Sequence, residues 1–307
     1  MSKVTVVGAG NVGASCASYL TEMEISEVVL VDIVEGLPQG KALDLFEGTP
    51  VRGFDCKVHG TNDWTEMRDS DVVVVTAGLA RKPGMSRSDL QQKNAEIVGG
   101  IAERIRDLAP SAFVIMVTNP LDVMAYLTYR KTGFPAARVM GMAGVLDSTR
   151  FRSFLAMELG VSVLDVQAMV LGGHGDSMVP LTRFATVGGV PVTQLIPADR
   201  LEQIVRRTRD GGAEIVALLK QGSAFYAPGA SAAQMVDAIL KNRSRILPVA
   251  AYLDGQYGMR DLYLGVPARL GAGGVEQIVE LDLTDEELAA LRASGAAVTS
   301  SIRELAL

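Results

Sequence analysis

Asp71 and Thr76 bracket four consecutive valines, Val72–Val75, and an unbroken apolar run of that length forms a strand covered on both faces. The run stands in a regular alternation. Lys3 to Val7 and Glu27 to Val31 are strand-like before it, and Ala112 to Val117 and Arg138 to Met140 after it. Between these runs the apolar spacing predicts helices to about Met23, over Gly36 to Phe46, over Asp89 to Leu108 and over Leu121 to Lys131. Strands alternating with helices pair in parallel, because each helix carries the chain back across the sheet. The first half therefore reads as a doubly wound α/β unit of the Rossmann kind.

From Leu146 the pattern changes. A helix is predicted over Asp147 to Leu159, then antiparallel-looking strands around Val166 to Leu171 and Val179 to Val192. Helices follow over Asp199 to Leu219 and Ser231 to Lys241, with strands near Ile246 to Leu253 and Gly274 to Leu281. Thr284-Asp285-Glu286-Glu287 is a capping box opening a last helix toward Leu305. At 307 residues the chain is long for one core and fits two domains. They are expected at 1–145, the nucleotide half, and 146–307, an α+β half carrying the substrate and the chemistry.

A hydrophobic content of 48% with 21% charged residues describes a globular chain, not a disordered one. The net charge of −6, with no Lys/Arg cluster, argues against nucleic acid or an anionic membrane as partner. No apolar run has the length of a membrane span, and Met1-Ser2-Lys3 leads straight into a strand, so a cytoplasmic protein is expected. Cys16 and Cys56 have neither disulfide-framework nor zinc-ligand spacing; no metal site is expected.

The run Val4-Thr5-Val6-Val7-Gly8-Ala9-Gly10-Asn11-Val12-Gly13 is a strand followed by GxGxxG at the mouth of a helix. Gly8, Gly10 and Gly13 permit a tight turn, close approach of backbone to a pyrophosphate and close helix–strand packing. Asp32 ends the second strand nineteen residues beyond Gly13, where an acid receives ribose hydroxyls. Its charge repels a 2′-phosphate, and Ile33-Val34-Glu35 offer no cation in compensation, so NAD is expected over NADP.

Three more segments carry chemistry. After Thr76 comes Ala77-Gly78-Leu79-Ala80-Arg81-Lys82-Pro83-Gly84-Met85-Ser86-Arg87, a basic loop leaving the strand ends where ligands of such sheets bind. Asp147 and Arg150 share one helix face; alone, that pair would pass for a surface ion pair. His174 is one of only two histidines and lies between glycines in Gly172-Gly173-His174-Gly175-Asp176. Only histidine both takes and gives a proton near neutrality at its ordinary pKa.

With Val117-Thr118-Asn119-Pro120 and Leu146-Asp147-Ser148-Thr149-Arg150-Phe151-Arg152, these five ordered segments closely resemble the lactate/malate dehydrogenase family almost end to end. Within it they are similar to the malate-oxidising, lactate-dehydrogenase-like branch, since Arg81 stands where lactate enzymes typically carry glutamine. The resemblance implies an NAD-dependent interconversion of L-malate and oxaloacetate. It implies His174 as general base and acid, Asp147 as its orienting carboxylate, and Arg150 on the substrate's C1 carboxylate. Arg87 would polarise the C2 oxygen, Arg81 would hold the second carboxylate, and Asn119 would touch both substrate and nicotinamide ribose. Cofactor contacts are implied at Gly8, Ala9, Gly10, Asn11, Val12, Gly13, Asp32, Asn94, Val117, Thr118 and Asn119.

One position departs from the family pattern. A threonine near the substrate usually precedes the turn written here as Ala227-Pro228-Gly229; Ala224 takes its place, with Ser223 beside it. The resemblance also implies a homo-oligomer, a tetramer or else a dimer, with the Gly36 to Phe46 helix at a subunit contact. Three other readings compete: a lactate-type dehydrogenase, opposed by Arg81; an NAD-dependent glycoside hydrolase, whose metal is held by cysteine and histidine; and a non-catalytic NAD sensor, which leaves the acid–base pair and three arginines without purpose.

Overall fold

The computed structural model describes residues 2–79 and 87–305, with Arg87 described by its backbone alone. Its first half contains β1 (Lys3–Val7), α1 (Asn11–Glu22), β2 (Glu27–Val31), α2 (Leu37–Arg52), β3 (Val58–Thr61), β4 (Val72–Val75), α3 (Arg87–Leu108), β5 (Phe113–Met116), α4 (Leu121–Thr132) and β6 (Val139–Gly141). These six strands pair in parallel in the order β3-β2-β1-β4-β5-β6. The four valines of β4 are fully buried and pair with Val4–Val7 on one side and Phe113–Met116 on the other. Strand order reverses between β1 and β4. That switch point opens a crevice at the carboxyl ends of the strands.

The second half begins with α5 (Ala143–Leu159) and continues through short strands β7 (Val166–Gln167), β8 (Val170–Leu171), β9 (Val179–Pro180), β10 (Thr186–Val187) and β11 (Val190–Pro191). Two helices follow, α6 (Ala198–Leu219) and α7 (Tyr226–Leu240). A ribbon of β12 (Arg245–Asp254), β13 (Arg260–Gly271) and β14 (Gly274–Ile278) precedes α8 (Asp285–Arg303). The ribbon is antiparallel and joins β6 through Ala250 and Gly141, extending the parallel sheet to nine strands. One hydrophobic core runs from β1 through this ribbon, and a smaller one gathers around Phe151, Val170 and Ile204.

Several element boundaries differ from expectation. Helix α2 continues past Phe46 to Arg52: Pro50 forfeits one hydrogen bond in the last turn, and the helix ends only at left-handed Gly53. Helix α5 starts at Ala143, so Asp147 and Arg150 lie in its second turn. The stretch Val179 to Val192 is no continuous strand, because Pro180, the left-handed pair Gly188-Gly189 and Pro191 cut it into short pieces. Ala227-Pro228-Gly229 is no turn but the opening of α7, where proline costs no intrahelical hydrogen bond. A Cβ at Gly229 would come within 2.8 Å of the Cys16 nitrogen, so this glycine lets α7 pack closely on the helix behind the nucleotide turn.

Strand β13, twelve residues long, was hidden by Gly265 and Pro267. Gly265 exchanges two backbone hydrogen bonds with Gly172, at 2.8 and 3.2 Å, and a Cβ there would sit 2.4 Å from the Gly172 oxygen. The apparent breaker is what ties the histidine segment to the sheet. The capping box forms as expected: Glu287 N–H donates to Thr284 Oγ1 at 3.2 Å, and Thr284 N–H to Glu287 Oε2 at 2.9 Å.

Candidate active site

The glycine turn lies at the switch point. Gly8 adopts φ +106°, and a Cβ there would stand 2.7 Å from the Ala77 nitrogen across the crevice. A Cβ at Gly13 would lie 1.8 Å from the Gly8 oxygen, so only glycine lets α1 approach β1 this closely. At Gly10 a Cβ would meet nothing within 4 Å: open space faces the start of α1. The first turn of α1 contains no acidic residue, and its N–H groups precede the first intrahelical acceptor. Both features suit a pyrophosphate.

Asp32 does more than end β2. Its Oδ2 accepts the Ala9 N–H at 2.6 Å and its Oδ1 the Val34 N–H at 2.9 Å, tying the carboxylate to the glycine turn. Each oxygen retains a lone pair for a further donor. Asn11 and Val12 open α1, and Val12 lines the cavity described below together with Val117 and Asn119.

Thr118 and Asn94 hold the floor of the crevice. Thr118 is buried and its hydroxyl donates to the Ala77 oxygen at 2.8 Å. The buried amide of Asn94 accepts the Leu79 N–H at 2.8 Å and donates to the Leu79 oxygen at 3.2 Å and the Asn119 oxygen at 2.7 Å. Both amide hydrogens are thus committed to backbone, so in this geometry Asn94 braces its neighbours and presents no free donor to a ligand.

His174 comes together with Asp147 and Arg150 on one wall. His174 Nδ1 lies 2.8 Å from Asp147 Oδ2, and Arg150 Nη1 donates to Asp147 Oδ1 at 3.2 Å. Burial pushes the imidazole pKa down, but the charge and hydrogen bond of Asp147 outweigh it, and the net is a rise above the ordinary value. The Arg150 charge opposes that rise, and the nearby Asp122 adds to it. Burial lowers the Arg150 pKa, and its Nε is enclosed without a partner among the described residues. A guanidinium in this state gains most from a carboxylate ligand.

His174, Arg150 and Asn119 face a cavity of about 390 Å³ shared with Met142, Arg209 and Ala213. Its size suits a small metabolite beside a nicotinamide ring rather than a polymer. Ser223 and Ala224 both line it. Arg81 lies outside the described residues, as does the rest of 80–86, and the Arg87 side chain likewise.

Sequence reasoning missed four contributors. Asp122 Oδ2 accepts the His174 N–H at 2.8 Å, and Ser294 Oγ accepts the Gly173 N–H at 2.8 Å. An acid in the first turn of a helix reads as a dipole partner, and a serine in an amphipathic helix as surface, so neither carried a signal. Gly211 and Gly212 of α6 lie against Arg150, and a Cβ at Gly211 would stand 3.2 Å from its Cδ. Two adjacent glycines inside a predicted helix were the available clue that something passes close by.

Family models agree with this geometry. The lactate/malate dehydrogenase NAD-binding domain matches residues 2–141, and the lactate/malate dehydrogenase alpha/beta C-terminal domain matches 144–306. The chain belongs to the lactate/malate dehydrogenase family. A malate dehydrogenase of Desulforudis audaxviator is 57% identical over 303 residues, spanning 99% of this chain and 98% of that one. The malate dehydrogenase structure from Salinibacter ruber superposes with a TM-score of 0.95 at 56% identity, covering 98% of this chain and 97% of that one. A lactate dehydrogenase of Cryptosporidium parvum, solved with lactic acid and nicotinamide adenine dinucleotide, gives the same TM-score of 0.95 at 43% identity, with 98% and 97% coverage. Both substrate classes thus occur on this family fold, and the fold alone does not choose between them.

The glycosidase reading has no support in the thiols. Cys16 is buried and burial pushes its pKa up to about 12; burial also raises that of Cys56. Neither is disposed to become a thiolate ligand.

Proposed function

We propose that this chain is an NAD-dependent malate dehydrogenase, interconverting L-malate and oxaloacetate. Bound NAD supplies the hydride acceptor for the C2 hydrogen. The protein supplies the rest. With Nδ1–H directed at Asp147, His174 keeps the Nε2 lone pair for the C2 hydroxyl proton, and the imidazolium so formed is stabilised by the same carboxylate. In the reverse direction that proton returns to the C2 oxygen as the hydride arrives at C2.

Arg150 lines the cavity and holds the C1 carboxylate in a two-point contact that the planar guanidinium allows. Arg81 receives the C4 carboxylate, and Arg87, the first residue of α3, polarises the C2 oxygen. Asn119 bridges substrate and cofactor. Gly8 to Gly13 receive the pyrophosphate, Asp32 the adenosine ribose, and Val117 and Thr118 form the floor, with Asn94 acting through its grip on Asn119. In this reading residues 1–145 form the nucleotide half and 146–307 the substrate half.

The observation that carries the reading is Asp147 holding His174 and Arg150 at once, on the wall of a metabolite-sized cavity next to a dinucleotide turn. The test is NADH consumption with oxaloacetate and pyruvate compared side by side. Strong preference for oxaloacetate supports it; equal turnover of both, or none, overturns it.

Self-association through α2 fits the same picture, as a tetramer or else a dimer. Leu43 and Phe46 are exposed on this helix and Val51 is 87% exposed, an apolar face that lacks a cover within one chain. No helix among the described residues is long and apolar enough to cross a membrane. A cytoplasmic setting fits two buried, unbridged cysteines.

A further inference from the structure

The segment carrying His174 is fastened at three successive backbone positions. Gly172 is bonded to Gly265, Gly173 to the Ser294 hydroxyl, and His174 to the Asp122 carboxylate. The first two fasteners are neutral. The third is a carboxylate only 4% exposed, with Oδ1 enclosed and partnerless among the described residues. Burial pushes the Asp122 carboxyl up to about 6, against the pull of the His174 N–H and with added repulsion from Asp147. Holding one N–H does not require this: an amide or hydroxyl would accept the bond without burying a charge. What only a carboxylate adds is negative charge close to the imidazole.

We propose that Asp122 is a positioning residue for His174, its buried carboxylate fixing the histidine backbone and acting as a second negative partner of the ring beside Asp147. This rests on reading His174 as the proton-transfer group. Among the described residues, Asp147 and Arg150 from α5 and Asp122 from α4 act on the ring, and Asp176 from its own segment and Arg209 and Asp210 from α6 line the same cavity. Around Gly173, α8 contributes Ser294 and Val298. Asp147 fixes the ring nitrogen. Asp122 fixes the main chain from which the ring hangs, so the two carboxylates act on different degrees of freedom.

The test uses the full chain with isotope-labelled histidine and follows the imidazole by NMR against pH. Only two histidines are present, and His59→Gln removes the second signal. Asp122→Asn keeps an acceptor for the His174 N–H and removes the charge. We expect its imidazole to titrate lower by about half a pH unit or more, with the His174 N–H exchanging faster than in the unsubstituted chain but slower than in Asp122→Ala. In Asp122→Ala the same amide should exchange about tenfold faster or more. An imidazole midpoint unchanged by Asp122→Asn overturns the proposal.

If neither variant folds, the unsubstituted chain still decides. Protonated Asp122 is the weaker acceptor, so the exchange rate of His174 relative to Gly173, whose partner is neutral, should rise as pH falls through about 6. A constant ratio overturns the proposal. None of these readouts needs turnover, so a chain that failed to reduce oxaloacetate would count against the proposed reaction and leave this result separate.

Discussion

Asp147 serves two partners with its two oxygens: Oδ2 takes His174 Nδ1 at 2.8 Å while Oδ1 takes Arg150 at 3.2 Å. The histidine lies 27 residues away along the chain, on a segment between two short strands, whereas Arg150 lies one helical turn away on α5. The bond to a nearly fully buried carboxylate selects the Nδ1–H tautomer and favours the charged ring. One residue therefore couples His174, the proposed proton-transfer group, to Arg150, the cation proposed to receive the substrate.

The coupling sets the pH dependence. The His174 pKa is raised above its ordinary 6.5, so the neutral imidazole, proposed as the base in malate oxidation, predominates only above that raised midpoint. The kcat/KM for malate should rise with pH through the midpoint, while that for oxaloacetate, which needs imidazolium, should fall through it. A histidine held this way stabilises the fold fully below its unfolded pKa, and that contribution is lost as pH rises through the folded one. Opposite limbs sharing one midpoint are the expected result of paired rate profiles.

Substrate choice is assigned to Arg81. A pyruvate methyl facing an unpaired guanidinium in a closed site would cost roughly 3–5 kcal/mol, or about 10² to 10⁴ in kcat/KM. Arg81→Gln should therefore lower kcat/KM for oxaloacetate by up to that factor and leave pyruvate far less affected. Equal losses on both substrates would remove Arg81 from the account.

Asp122→Asn should trade function for stability. The carboxyl titrates at about 6 instead of 3.8, so the buried charge weighs against the fold above that range. The unfolded carboxyl ionises first, so that cost builds as pH rises from about 4 to about 6 and is complete above it. The variant should gain up to about 3 kcal/mol at about pH 8, with the advantage shrinking between about pH 6 and 4. Denaturant titrations at several pH values measure this.

Gly13→Ala tests the nucleotide turn. The added Cβ would collide with the Gly8 oxygen at 1.8 Å, forcing α1 away from β1. Overpacking of this kind costs about 1–3 kcal/mol or more, and NADH affinity should fall by at least about tenfold. Fluorescence titration with NADH gives the answer.

Much of this was legible in the chain because the strongest signals are local. The valines of β4, the glycines of the first turn and the Thr284–Glu287 cap each state their structure within a few residues. The motifs that carry Asp147, Arg150 and His174 were legible, each short and chemically distinctive, and the fold brings those three residues together. What stayed hidden depends on contacts distant in sequence. Strand β13 gave no local signal, because Gly265 and Pro267 interrupt its apolar run and the Gly172 that pairs with it is distant in sequence. Asp122 carried no signal beyond its place in a helix's first turn, because the His174 N–H it accepts lies 52 residues on. Asn94 is the converse: its amide is turned inward by backbone partners on two separate segments, which no local pattern discloses.

The central claim is that an imidazole oriented by Asp147 moves the proton while the nucleotide turn holds the cofactor independently. Oxaloacetate reduction by His174→Asn and by the unsubstituted chain, each at saturating NADH and with NADH affinity determined separately, tests it most directly. The account predicts a loss of about 10²- to 10⁴-fold or more in kcat with NADH affinity unchanged. A variant that retains near-normal turnover, or that loses activity only because it no longer binds NADH, would contradict it.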